Sequence, residues 1–151
     1  MPGRLQRLNR GRLSELVPPG AELWLDGGHN IDGGRILAAA MADLGERSDV
    51  PLVLVVGLLG TKDAEGFLRN FVGLARTLIA VPIAGQMAAR PAEEVAQIAA
   101  EVGLEAQVAS SVEAALEGLS TATFASPPRI LICGSLYLAG AVLTANGTPP
   151  T

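Results

Sequence analysis

Two rhythms of apolar and polar positions run along this chain. Short apolar runs recur at residues 22–25, 51–56, 77–81, 106–109 and 129–133. The run at 51–56, Pro-Leu-Val-Leu-Val-Val, shows no alternation, as expected of a strand covered on both faces. Between the runs the period lengthens. Leu37, Ala40, Met41 and Leu44 fall at i, i+3, i+4 and i+7, and so do Val95, Ile98, Ala99 and Val102. Phe67, Leu68, Phe71 and Leu74 mark another helical face, and Val112, Ala115, Leu116 and Leu119 a fourth. A fifth helix opens at Gly134-Ser135 and runs to about Thr144. Asn30 and Asp63 stand where N-caps are needed, Ser110-x-x-Glu113 has the form of a capping box, and Pro91 suits a first helical turn. Gly45 is placed to stop the first helix. A short strand is expected around residues 4–8, ahead of the Pro18-Pro19-Gly20 turn, and residues 146–151 read as a frayed, disordered polar tail.

Strands that alternate with helices five times over predict an α/β fold. It is a mostly parallel sheet of about five to six strands, with helices on both faces and right-handed crossovers. In such sheets ligands sit beyond the carboxyl ends of the strands. That rule selects four loops: residues 26–30, 57–63, 82–90 and 133–137.

Composition narrows the function classes. A length of 151 residues fits one domain, and 49% apolar content excludes a disordered chain. A net charge of −4 gives no basic footprint for nucleic acid. No apolar run approaches the ~20 residues of a membrane span, and the positively charged start has no apolar stretch of the signal-peptide kind. One cysteine excludes an internal disulfide, and one cysteine with one histidine argues against a zinc site. The expectation is a soluble, cytoplasmic domain with no membrane partner.

The richest chemistry lies in residues 23–34, Leu-Trp-Leu-Asp-Gly-Gly-His-Asn-Ile-Asp-Gly-Gly. Here Asp26, His29 (the one histidine of the chain) and Asn30 fall within five residues, at a strand-to-helix turn rich in glycine. Glycines admit close approach of a ligand to the backbone, and a helix start offers N–H groups to anions. The segment therefore reads as a phosphate- or nucleotide-facing loop, although Asp and Asn serve equally as turn and cap residues there. Neither Gly-x-Gly-x-x-Gly after the first strand nor Gly-x-x-x-x-Gly-Lys-Ser/Thr anywhere is present. Lys62 is either a point charge for a phosphate or carboxylate or a solvated loop lysine. Cys133, with no second histidine to activate it, reads as a small core residue. Ser135, outside any Gly-x-Ser-x-Gly elbow, either binds a carboxylate or caps its helix.

Four stretches then carry a resemblance: Pro2-Gly3-Arg4-Leu5-Gln6, Leu25-Asp26-Gly27-Gly28-His29-Asn30, Gly57-Leu58-Leu59-Gly60-Thr61-Lys62-Asp63, and Cys133-Gly134-Ser135-Leu136-Tyr137-Leu138-Ala139-Gly140. In order and spacing the chain resembles the C-terminal domain of folylpolyglutamate synthase and dihydrofolate synthase, enzymes of the Mur ligase type. It departs from the family pattern at Gly28, Ile31 and Thr61, where Ala, Pro and Asp are usual. The resemblance implies a Rossmann-like, Mur-ligase-type C-terminal domain over residues 1–145. It further implies that the chain is a fragment whose N-terminal P-loop ATPase domain is its partner. The implied activity is ATP-dependent addition of L-glutamate to a folate or dihydropteroate through an acyl phosphate, with Mg2+ ligated by the other domain. The isolated chain is then expected to be inactive. Carried over residue by residue, His29 and Lys62 are the catalytic candidates. Arg4, Asp26 and Asn30 meet the nucleotide, and Ser135 faces the substrate. A free-standing nucleotide-binding domain of another enzyme and a non-catalytic interaction module are the alternatives.

Overall fold

A computed structural model describes residues 5–28, 30–60 and 63–148. Six strands form one sheet: β1 (Gln6–Arg7), β2 (Glu22–Leu25), β3 (Leu52–Val56), β4 (Thr77–Ala80), β5 (Ala106–Val108) and β6 (Arg129–Cys133). Their order across the sheet is β1-β2-β6-β3-β4-β5. Only β1 runs antiparallel to its neighbour. The mostly parallel α/β sheet expected from the sequence is the fold observed.

Five helices cover it: α1 (Ile31–Arg47), α2 (Ala64–Arg69), α3 (Ala92–Val102), α4 (Val112–Thr121) and α5 (Leu136–Ala145). Side chains alternate along each strand, so every central strand feeds two cores. Leu52, Leu54, Val56, Leu78, Leu131 and Cys133 face α1, α2 and α3, where Leu37, Met41, Phe67, Val95 and Ala99 meet them. Val53, Val55, Ile79, Ile130 and Ile132 face α4 and α5, against Leu116, Leu119, Leu138 and Val142. β3 and β6 are buried along their whole length, which is why their sequences show no alternation.

Several local expectations need correction. Gly45 does not stop α1, which continues to Arg47 and ends at Ser48. Nothing lies within 4 Å of where a Cβ on Gly45 would be, so this glycine sits in an ordinary turn of helix with room for a side chain. The cap of α4 is Ser111 and not Ser110: its hydroxyl accepts from the Ala114 N–H at 3.0 Å, so Glu113 falls one position short of a capping box. Pro91 is the cap position of α3 rather than its first residue. The helix expected through Leu74 is only six residues long, and Phe71 reaches the core from the turn after it.

The tail expected from residue 146 onward does not begin there. Asn146 is 1% exposed. Its Oδ1 accepts from the Leu13 N–H at 2.7 Å, its Nδ2 donates to the Arg10 carbonyl at 2.9 Å, and its own carbonyl accepts from the Arg12 N–H at 3.1 Å. An amide with partners on both sides satisfies backbone groups that would otherwise be buried without hydrogen bonds. It also ties the segment after β1 to the end of α5.

At the opposite, amino edge of the sheet Arg129 is 3% exposed and pairs with Glu22. Nε donates to Oε1 at 3.0 Å and Nη2 to Oε2 at 3.1 Å, while the Trp24 indole N–H also donates to Oε1 at 2.9 Å. Burial pushes the Glu22 carboxyl up, but the hydrogen bonds from Arg129 and Trp24 and the charges of Arg129 and Arg7 outweigh it and hold it below its usual value.

Candidate functional site

The strand order decides which loops can meet. β6 lies between β2 and β3, and the helix after β6 goes to the opposite face from those after β2 and β3. Neighbouring strands whose connections leave to opposite faces open a crevice at their carboxyl ends. Three of the four loops selected from the sequence border it.

Their backbones interlock. The Asp26 N–H donates to the Ile132 carbonyl at 3.0 Å, the Gly134 N–H to the Gly28 carbonyl at 3.1 Å, and the Gly57 N–H to the Cys133 carbonyl at 3.3 Å. Gly134 has φ of 113°, and a Cβ on it would collide with the Gly57 carbonyl oxygen. Only glycine lets the three loops close on one another here.

Around this seam the polar side chains are spent on local backbone. Asp26 is half-buried, and its Oδ1 accepts from the Gly28 N–H at 2.5 Å. Asn30 is exposed and caps α1, accepting from the Gly33 N–H at 2.7 Å. Ser135, 2% exposed, caps α5 through bonds from the Tyr137 and Leu138 N–H groups at 3.1 and 3.4 Å. Capping does not exhaust these groups: a carboxylate has several lone-pair sites, and a serine hydroxyl has a hydrogen to donate as well as oxygen to accept. Cys133 ends β6 beneath the seam, where burial first and the charge of Asp26 second push its thiol up. It has no thiolate to attack with at neutral pH, in keeping with a core role.

Arg4, His29, Thr61 and Lys62 lie outside the described residues. Their flanks are placed. Gln6 pairs with Leu25, so Leu5 stands at the carboxyl edge beside Asp26. Asp63 caps α2, accepting from the Gly66 N–H at 2.9 Å.

The structure adds features that the sequence did not announce. Residues 82–90 fold back over the end of β3: the Gly60 N–H donates to the Ala88 carbonyl at 2.7 Å and the Arg90 N–H to the Leu58 carbonyl at 2.8 Å. Ile31, Leu136 and Tyr137 form exposed apolar positions at the starts of α1 and α5, on the same edge. A cavity of about 370 Å³ between α2 and α3 is lined by Asp63, Glu65, Glu101 and Arg90 among others. Three carboxylates against one guanidinium do not suit an anionic nucleotide, which favours the crevice over this cavity. Among the described residues no group of three His, Cys, Asp or Glu side chains could hold a metal ion, and no helix is long and apolar enough to cross a membrane.

Comparison with known proteins gives one family. The family described as dihydrofolate synthetase, C-terminal domain, matches residues 9–145. A folylpolyglutamate synthase from Lacticaseibacillus casei is 30% identical over 120 residues, which is 78% of this chain and 25% of that protein. Among solved structures, a Mycobacterium tuberculosis folylpolyglutamate synthase complexed with ADP and AMPPCP is 26% identical with a TM-score of 0.78, over 100% of this chain and 33% of that one. A bifunctional folylpolyglutamate synthase/dihydrofolate synthase from Yersinia pestis, complexed with AMPPNP and a Mn ion, is 25% identical with a TM-score of 0.71, over 96% of this chain and 31% of that one. The chain therefore spans between a quarter and a third of the length of these relatives.

Proposed function

The chain belongs to the dihydrofolate synthetase C-terminal domain family, and on that premise we propose that it is the closing domain of an ATP-dependent ligase that adds L-glutamate to a folate or dihydropteroate. The observation that carries this reading is the glycine seam, which gathers the loops of Asp26 and Ser135 at the switch point of the sheet. The partner in this reading is an N-terminal ATPase domain of the same enzyme, which also holds Mg2+. The place of action is the cytoplasm.

ATP supplies a phosphoryl group that activates the substrate carboxylate, and the glutamate amine then replaces phosphate at the acyl carbon. The roles that fall to this chain follow from its donor and acceptor types. Asp26 is an acceptor held rigid by Gly28 and suits the hydroxyls of a ribose. Asn30 lies on the same loop, three residues before the helix N–H that it caps. Arg4, by its connection to Leu5 at the edge, has a forked donor set for phosphate oxygens. Ser135 has a hydroxyl hydrogen to give to a substrate carboxylate. Lys62 offers a point charge to the same carboxylate, and His29 is the side chain suited to take the amine proton near neutral pH.

The test is reconstitution. ADP release is followed with this chain alone, with the ATPase domain alone, and with both, in the presence of glutamate and a folate acid. Release dependent on glutamate is expected only with both. Turnover by this chain alone would replace the reading with that of a self-sufficient enzyme. Tight ATP binding by the chain alone, with no gain on adding the other domain, would favour a free-standing nucleotide-binding domain.

A further inference from the structure

Large apolar side chains left in solvent are ordinary when scattered and informative when gathered. Among the described residues seven are exposed, and five of them stand at the carboxyl edge of the sheet: Ile31, Met87, Val108, Leu136 and Tyr137. Three of the five border the glycine seam. Ile31 is the first residue of α1, and Leu136 and Tyr137 are the first two of α5. Because α1 and α5 pack on opposite faces of the sheet, these side chains flank the crevice from both sides. They are 48%, 56% and 56% exposed, too open to belong to either core.

The fold holds both lips in place. A Cβ on Gly66 would come 2.8 Å from Ile31 Cδ1, so the Ile31 side chain lies across α2. Ser135 caps α5 through the Tyr137 N–H, which fixes where that helix starts. The start of α5 also departs from the others. Helices α1, α2, α3 and α4 each carry an acidic residue in the first turn, where the helix dipole favours one. α5 has none there, and presents Leu136 and Tyr137 instead. A helix start that faces water gains from an acid, whereas one that faces an apolar cover does not.

The course of the chain points to the cover. β1 runs antiparallel to β2 with Gln6 opposite Leu25, so it begins at this same edge. The family is described as a C-terminal domain, and the chain spans a quarter to a third of the length of its relatives. In a longer protein of that build, the rest of the polypeptide reaches this domain through β1, beside the seam.

We propose that Ile31, Leu136 and Tyr137 form a two-sided docking rim on which the ATPase domain of the same polypeptide rests when it covers the crevice. The inference deepens the closing-domain reading above and rests on it. Three apolar side chains give a contact that is lost on opening and regained on closing. They therefore weight the closed population, in which nucleotide is held, and the apparent affinity for nucleotide follows that population.

The experiment uses the full-length enzyme that contains this chain. Hydroxyl-radical labelling of Ile31, Leu136 and Tyr137 is compared without ligand and with AMPPNP and Mg2+, alongside the radius of gyration from solution scattering. Val72 is the control, 43% exposed and lying beside Gly103 at the far end of α3. The expected result is that the enzyme contracts with nucleotide, that labelling of the three rim residues falls at least ~3-fold, and that Val72 is unchanged. A Leu136→Ser/Tyr137→Ser variant separates cover by the domain from cover by the nucleotide. It should raise KM for ATP about 10-fold with an unchanged melting temperature, and should leave Ile31, on the other lip, labelled at AMPPNP concentrations that protect it in the wild type. Tyr137→Ser alone replaces the double variant if the latter does not fold. Protection without contraction, or protection of Ile31 that persists in the variant, means that nucleotide alone covers the rim and overturns the proposal. Contraction without protection overturns this inference only. Neither contraction nor protection takes the closing-domain reading down with it. Protection that grows with enzyme concentration in the absence of nucleotide makes a second copy the occupant, and overturns the proposal as well.

Discussion

β2 and β6 lie side by side from the Glu22–Arg129 pair to the Leu25–Ile132 pair, and the two ends of this ribbon are built on opposite principles. At the amino end a buried Arg129 and a half-buried Glu22 close on each other, with the Trp24 indole as a third partner. At the carboxyl end the polar side chains bind backbone, and it is the backbones of three loops that meet, through glycines. The first arrangement consumes its own charges and leaves nothing for a ligand. The second places a carboxylate and a hydroxyl at an edge, each bound to local backbone. The two ends differ in build, and if the carboxyl end serves recognition as proposed, the two are separable by mutation.

The hardest break is Arg129→Ala. It strands a largely buried Glu22 carboxylate, and removal of one partner of a buried pair costs about 3–5 kcal/mol. The denaturant midpoint of the isolated chain should fall accordingly, and a loss below about 1 kcal/mol would place this pair among the weak surface bridges. Next is Asp26→Ala at the other end. In the full-length enzyme the lost charge-assisted hydrogen bond should reduce ATP use by about 1.5–3 kcal/mol, or roughly 10- to 100-fold. The isolated domain should stay folded, and either unchanged ATP kinetics or an unfolded variant would make Asp26 a turn residue. Ser135→Ala sharpens the contrast, because this residue belongs to both categories. Loss of the α5 cap should cost about 1 kcal/mol of stability, and the rise in KM for glutamate should exceed what a cap alone explains. A variant whose only defect is thermal would leave Ser135 a cap.

The mildest test is pH. The folded carboxyl of Glu22 is held below its usual value, so its contribution is present above the unfolded pKa and is lost as pH falls through the lower, folded one. Stability of the wild type should therefore decline below about pH 4.5, and Glu22→Gln should show a shallower decline. Identical slopes would show that the pair is not what acid attacks.

How much of this could be read in the chain depends on range. Asn30, Asp63 and Ser135 were legible as caps because capping is a matter of three or four consecutive residues. The buried strands β3 and β6 were legible from their unbroken apolar runs. Gly45 misled because a glycine within a helix costs only about 1 kcal/mol, which the packing of Leu37 and Met41 outweighs. What no local pattern could show is the insertion of β6 between β2 and β3, which brings the Ser135 loop between those of Asp26 and Gly57. The same holds for the Glu22–Arg129 pair, 107 residues apart, and for Asn146, which reaches back 133 residues to Leu13. The backbone bonds that tie Leu58 and Gly60 to Ala88 and Arg90 involve residues 82–90, which lie outside the family motifs.

Cys133 gives the chain a built-in stopwatch. It is the only thiol, it is buried, and it sits at the end of β6 in register with Val56, directly under the seam. A water-soluble alkylating reagent reaches its sulfur only during moments when the tops of the central strands part. The labelling rate thus counts those openings and reports on the carboxyl end of the sheet without any introduced probe. Breathing at the Glu22–Arg129 end, at the far end of β6 from Cys133, leaves that clock unmoved unless the whole sheet comes apart.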